Sequence, residues 1–254
     1  EAIPQPNVYS IVESNHIDKF AHEYFINGDE MLQAAMDSIV SDMHDAKEYG
    51  SIIDVKPVDF DALFARFGEL KNDINMYTIP VFDTLLPMVK VAFALAQKYD
   101  VVVTNPPYLG NGDMNTKLSV YIQSNYSIAK SDTFSVFIIK CKKLLKTNRF
   151  QAMITMQSWM NLGAFENLRS FICSNEDIVS MWHLDDTLLG IAYQTVAFIF
   201  CTSRITKYIG TYCSATKEQF SLYDEEMYKT LSNEYKASQD AYFELKGCPI
   251  AYSL

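Results

Sequence analysis

One ten-residue stretch constrains this chain more than any other: Tyr99-Asp100-Val101-Val102-Val103-Thr104-Asn105-Pro106-Pro107-Tyr108. Its first six residues make a short, continuous, β-branched run, the pattern of a strand buried on both faces of a parallel sheet. Asn105-Pro106-Pro107-Tyr108 then ends the strand. Neither proline can donate to a ladder, and each drives the residue before it into extended geometry. In open α/β sheets, ligands bind beyond the carboxyl ends of the strands, which is where this loop falls. A rigid strand-to-helix turn is the plainer alternative.

The residue types in the loop suit the alkylation of an exocyclic amine. The lone pair of adenine N6 is delocalised into the ring, so the nitrogen is a poor nucleophile. Acceptors aimed at both amino hydrogens favour a pyramidal nitrogen and partly restore that lone pair. The Asn105 side-chain carbonyl is one acceptor. The Pro106 backbone carbonyl, held by the fixed φ angles of Pro106 and Pro107, is the other. Tyr108 offers a ring on which an extruded base can stack. The product ammonium is very acidic, so no strong base is needed before transfer.

The rest of the chain supplies a context of alternating helices and strands. Residues 1–28 read as irregular, and apolar residues from Met31 to Met43 recur at spacings of three and four, predicting a helix from Asp29 that Gly50 ends. Further helices are expected over about 58–70 and 82–98. After the strand at Tyr99, an amphipathic helix is expected over 131–146, with Ser131 or Asp132 as its cap and lysines at its end. A buried strand (Ala152–Met156), a helix (Glu166–Cys173) and strands at 178–184 and 195–201 follow. The order implies a parallel α/β sheet whose last member runs antiparallel. No sheet pattern is clear beyond about Cys213.

Composition narrows the alternatives. No apolar run reaches the roughly 18 to 20 residues of a membrane helix, no signal peptide is visible, and a cytoplasmic location is expected. The five cysteines are scattered and never spaced as C-x-x-C, which speaks against a disulfide framework or a zinc ribbon and for reduced core thiols. The four histidines show no metal-ligand spacing, so no metal is expected. Trp159, Trp182, Tyr121 and Tyr193 are candidates for a base pocket, with core packing the default. Lys117, Lys130, Lys140, Lys142, Lys143, Lys146 and Arg149 form a basic stretch that reads first as a solvated face and second as a phosphate track. Asp185-Asp186 reads as a turn. Net charge is −10, opposite to the usual basic footprint on DNA.

The segment Tyr99 to Gly110 resembles motif IV of the amino-methyltransferases. Asp132-Thr133-Phe134 with its helix, Arg149 to Trp159, the Asn167-Leu168-Arg169 helix and Thr195 to Phe200 are similar to the elements that follow that motif in large adenine-specific DNA N6-methyltransferases of the type II and BREX-type (PglX-like) phage-defence systems. The similarity covers residues 98–204 well and the helical first part more loosely. It implies a fold of class α/β, a partial Rossmann-like methyltransferase sheet with a preceding helical region. The implied domains are residues 1–98 as a helical insertion, 99–210 as the C-terminal part of the catalytic domain, and 211–254 as a tail or the start of a following segment. It implies Asn105, Pro106, Pro107 and Tyr108 as catalytic residues and S-adenosylmethionine as cofactor. Implied partners are double-stranded DNA with a flipped adenine, the rest of the parent methyltransferase and other defence-system proteins.

The chain departs from that family in one respect. Before residue 100 the glycines are Gly28, Gly50 and Gly68, none paired, so the family's Gly-x-Gly cofactor loop is missing upstream. Gly110-Asn111-Gly112 comes after the motif and reads as a flexible loop rather than a nucleotide cradle. The chain therefore reads as an internal fragment, inactive alone, whose cofactor grip and basic DNA-reading parts lie elsewhere. Two other functions use the same residues: methylation of a protein glutamine amide or of RNA, and a non-catalytic DNA-binding or assembly module.

Overall fold

The computed structural model describes residues 5–72, 74–184, 193–215 and 234–252. It divides into two compact units, residues 1–97 and 98–254. The first is helical: α1 (Lys19–Ile26), α2 (Glu30–Asp42), α3 (Ala46–Tyr49), α4 (Phe60–Leu70) and α5 (Leu86–Ala96). Aspartates start three of these helices. Asp18, Asp29 and Asp59 each accept from backbone N–H groups of the first turn, satisfying donors that have no partner inside a helix. Phe25 and Phe67 meet at 4.4 Å between ring centres within a core that includes Met36, Ile39 and Leu63.

Two sequence expectations fail here. Residues before 29 are not irregular throughout, since α1 occupies 19–26. The helix expected from Asp29 to Gly50 is two helices. The chain breaks at Asp45, whose φ is +55°, and Asn15 holds that break by accepting from Asp45 N and donating to Asp45 Oδ1, both at 2.7 Å.

The second unit is a six-stranded mixed sheet with helices. Its elements are β1 (Tyr99–Thr104), α6 (Thr116–Asn125), α7 (Thr133–Leu144), β2 (Leu145–Met156), α8 (Glu166–Asn175), β3 (Asp177–Leu184), β4 (Thr195–Cys201), β5 (Ile209–Ala215) and β6 (Glu234–Ser238), in sheet order β1-β2-β4-β3-β5-β6. β1 and β2 are parallel, and β4 runs antiparallel between β2 and β3. β5 is parallel to β3 and β6 antiparallel to β5. Helix α6 and strands β5 and β6 were not expected from sequence. Strand β6 reads Glu-Tyr-Lys-Ala-Ser, which carries no apolar run, and β5 is broken in pattern by Gly210, where a Cβ would run into the carbonyl of Ile178.

Both crossovers, β1 to β2 through α7 and β2 to β3 through α8, advance in the same direction across the sheet. Right-handed connections of this kind put both helices on one face, and α7 packs on β1 and β2 while α8 packs on β3. That face buries Met153, Val196, Phe198, Phe200 and Met181. The opposite face carries Val101, Val103, Ala152, Ile154, Ala197, Ile199 and Trp182, aligned by the strand register. It stays open: Val101 is 56% exposed and Val103 72%. The expectation of a strand buried on both faces is therefore corrected. Among the described residues β1 is an edge strand, paired only with β2.

Charge is not shared evenly. Residues 1–97 hold sixteen Asp and Glu against six Lys and Arg, the whole −10, and residues 98–254 hold fifteen of each and are neutral. All five cysteines are buried free thiols. No helix among the described residues is long and apolar enough to cross a membrane.

Candidate active site

Strand β1 delivers Asn105 to the carboxyl end of the sheet, beside the ends of β2 and β3 and the start of β4. Pro106 is buried, Asn105 and Pro107 are exposed, and Tyr108 is half-buried. The Tyr108 hydroxyl lies 3.1 Å from two acceptors, Asn105 Oδ1 and the Ile154 carbonyl. One hydroxyl proton serves one acceptor at a time, so donation to Ile154 leaves the Asn105 oxygen ready for an incoming N–H. The Tyr108 ring meets Phe134 and Tyr193 edge to face, at 6.1 and 6.0 Å. Burial, helped by Tyr193 and Asp132, raises its phenol above the ordinary range, so Tyr108 stays neutral and a donor at physiological pH.

The loop after Tyr108 is fastened to the start of α7. Thr133 Oγ1 donates to the Pro107 carbonyl at 2.7 Å and accepts from Leu109 N at 3.0 Å. Thr133 N donates to the Leu109 carbonyl at 3.0 Å, and Asn111 N to the Ser131 carbonyl at 3.0 Å. Asp132 Oδ1 accepts from Leu109 N at 3.2 Å and from Phe134 N at 3.1 Å, so the helix cap serves the loop as well. Burial raises the Asp132 carboxyl, against the pull of these bonds. The Gly110-Asn111-Gly112 segment, expected to be a flexible loop, is thus pinned at Gly110 and Asn111, and Gly110 faces the carboxylates of Asp113 and Asp132.

The four aromatic candidates separate. Tyr193 joins Tyr108 at the site. Trp159 is fully buried in the helix-covered core, donating to Thr155 Oγ1 at 3.1 Å and meeting Phe198 and Phe200 edge to face. Trp182 lines the open face, in a trough of about 540 Å³ that begins at Asn105 and Val103. Tyr121 pairs with Tyr126. The basic stretch divides too. Lys146 and Arg149 bond Asp100 at 2.9 and 2.7 Å, Arg149 first in holding that carboxyl low. Asp100 lies about 15 Å from Asn105 along the strand, so this pair sits at the far end of the sheet. Asp185 and Asp186 lie outside the described residues. Sequence reasoning found the Asn105 loop and singled out Asp132-Thr133-Phe134 at a helix start, with Asp132 as a cap, but gave Thr133 no role of its own.

The model of the Eco57I restriction-modification methylase family matches residues 36–188. The chain belongs to the Eco57I restriction-modification methylase family. It is similar to the adenine-specific methyltransferase BrxX of Escherichia coli O9:H4 (strain HS), with 30% identity over 82% of this chain. It is similar also to the adenine-specific methyltransferase PglX of Lacticaseibacillus casei (strain Zhang), with 31% identity over 81% of this chain. The chain spans 18% of the length of each of these relatives. Among solved structures, a modification subunit of a putative type I restriction enzyme from Vibrio vulnificus YJ016 matches with TM-score 0.45 and 14% identity, over 72% of this chain and 50% of that one.

Membership of a methylase family implies S-adenosylmethionine. The residues described fit that group poorly. Gly110, beside the site, faces the carboxylates of Asp113 and Asp132, and the apolar side chains of β1 line an open trough rather than a closed nucleoside pocket. What these residues assemble at the end of β1 is the Asn105 carboxamide beside the rings of Tyr108 and Tyr193.

Proposed function

We propose that this chain is the amine-binding half of an S-adenosylmethionine-dependent adenine-N6 DNA methyltransferase of a restriction or phage-defence system. The observation that carries the reading is the Asn105 carboxamide, next to the Pro106 carbonyl, at a strand end walled by Tyr108 and Tyr193. Asn105 Oδ1 and Pro106 O accept the two amino hydrogens of a flipped adenine and make its nitrogen pyramidal. The Tyr108 ring stacks on the base, and its hydroxyl turns to Ile154 as the base arrives. Phe134, itself packed on Phe165 at 5.5 Å, backs the Tyr108 ring.

The rest of the parent enzyme is the second partner in this reading. The open edge and open apolar face of β1 are what a strand with further neighbours presents, and the cofactor grip belongs with those neighbours. Phosphate contacts belong there too, because residues 1–97 carry −10 and Lys146 and Arg149 are engaged with Asp100 at the far end. The test is methyl transfer by the full-length enzyme to duplex DNA, with the product nucleoside identified by mass spectrometry. N6-methyladenine is expected, and Asn105→Ala lowers kcat by about 10²–10³-fold. A methylated cytosine, or full activity in Asn105→Ala, would overturn the assignment.

A further inference from the structure

The Asn105 loop is connected to the start of α7 by more bonds than a connecting loop needs. We infer that Thr133 is a positioning residue for the reaction, holding Pro107 and Leu109 so that Tyr108 between them, and the Asn105 and Pro106 acceptors before them, keep one geometry. The inference rests on the proposed amine chemistry.

Thr133 is almost fully buried and directs both its hydroxyl and its backbone N–H to this loop, the hydroxyl lying also 3.4 Å from Asp132 Oδ1. Its hydroxyl donates to Pro107 O at 2.7 Å and accepts from Leu109 N at 3.0 Å. Its backbone N–H, one of the donors a helix start leaves without an internal partner, goes to Leu109 O at 3.0 Å. Pro107 and Leu109 flank Tyr108, so the ring is gripped on both sides by one residue. That residue stands on the first turn of α7, which is packed on β1 and β2. The loop is thereby referenced to the sheet twice, through β1 that carries it and through α7 that fastens it. Asp132 shares the Leu109 N–H at 3.2 Å but also caps α7 through Phe134 N, so its loss would damage the helix. The Thr133 hydroxyl serves the loop and not the helix ladder, which makes it separable.

Transfer to a weak amine tolerates little displacement. An error of about 1 Å in the reacting geometry costs on the order of 10²-fold. Thr133→Val keeps the shape and removes both hydroxyl bonds, whereas Thr133→Ser keeps both. In the full-length enzyme, Thr133→Val is expected to lower kcat by about 10- to 100-fold with KM for DNA within about threefold. Thr133→Ser is expected to stay within a few-fold of wild type in both. In this chain itself, Leu109 amide exchange should accelerate in Thr133→Val and stay slow in Thr133→Ser.

Wild-type kcat in Thr133→Val would overturn the inference. So would equal loss in the two variants, which would mark a purely steric or structural role. If the wild-type enzyme methylates DNA adenine, the functional reading stands whichever way Thr133 behaves. If it methylates no amine at all, that reading falls and the positioning role with it. Because Asp132 also accepts from Leu109 N, the readout is the difference between variants, and equal Leu109 exchange in Thr133→Val and Thr133→Ser would exclude a share for the hydroxyl in holding that amide.

Discussion

The two faces of the sheet are built from the same strands and have opposite fates. The helix-covered face is packed with Phe198 and Phe200, stacked at 4.1 Å, under Trp159. Arg169 is sealed beneath the same elements, donating to the carbonyls of Trp159, Leu162, Gly247 and Cys248. The other face carries an equally apolar set, yet Val101, Val103 and Ile199 are 56%, 72% and 38% exposed. Residue type does not separate the faces, because valine and isoleucine stand on the open one. What differs is whether a connection crosses over it. Both crossovers fall on one side because of their handedness, so any cover for the open side would come from elements that do not connect these strands.

The largest effects are therefore expected on the covered face. Phe200→Ala should cost about 3–5 kcal/mol in denaturant unfolding of this chain, since Phe200 is fully buried between Trp159 and Phe198. Arg169→Met should cost about 3 kcal/mol or more, because it strands several buried carbonyls at once. If Arg169→Met were neutral, the C-terminal segment at Gly247 and Cys248 would not be held by the guanidinium. A Phe200→Ala cost under about 1 kcal/mol would mean the two faces are equally loose.

A smaller effect distinguishes the two ends of the covered face by pH. At the end remote from Asn105, Glu176 is wholly buried, and Gln151 Nε2 donates to its Oε2 at 2.6 Å. Burial raises its carboxyl from the usual 4.5 to about 7, opposed by Lys142 and Gln151. Gln151 Oε1 has no donor, and a proton on Glu176 would supply one. The folded state thus binds a proton that the unfolded chain has released. Its stabilising contribution is full below about pH 4.5 and is lost as pH rises to about 7. Glu176→Gln should flatten the stability profile between these values and be up to about 3 kcal/mol more stable at pH 8. A slope unchanged by the substitution would assign the proton elsewhere.

How much of this could be read from sequence follows the same division. Asn105-Pro106-Pro107-Tyr108 was legible because proline restricts the backbone whatever surrounds it, and β4 was legible because Thr195–Cys201 is an apolar run of strand length. Thr133 was not, since its role depends on bonds to Pro107 and Leu109 that cross 26 and 24 residues. The β5–β6 pair was hidden by alternating polar residues and Gly210. The run at Val101 to Val103 was read correctly as strand and wrongly as buried. A β-branched run describes the environment for which a strand is built, and the exposure of Val101 and Val103 describes only what the present residues supply. Further neighbours of β1 would remove the mismatch between the two.

One substitution made twice tests whether β1 is covered in the full-length protein. Val103→Thr replaces a methyl by a hydroxyl of nearly the same size on the open face. In this chain Val103 is 72% exposed, so the change should alter unfolding free energy by no more than about 0.5 kcal/mol. In the full-length protein, strands or helices that cover β1 would bury the new hydroxyl. The same substitution should then cost about 1–3 kcal/mol. The full-length protein should also bind S-adenosylmethionine by calorimetry, where the present chain is expected to give no heat. Equal, negligible costs in both polypeptides would leave the open face exposed by design, and tight cofactor binding by the present chain alone would place the grip within its own residues.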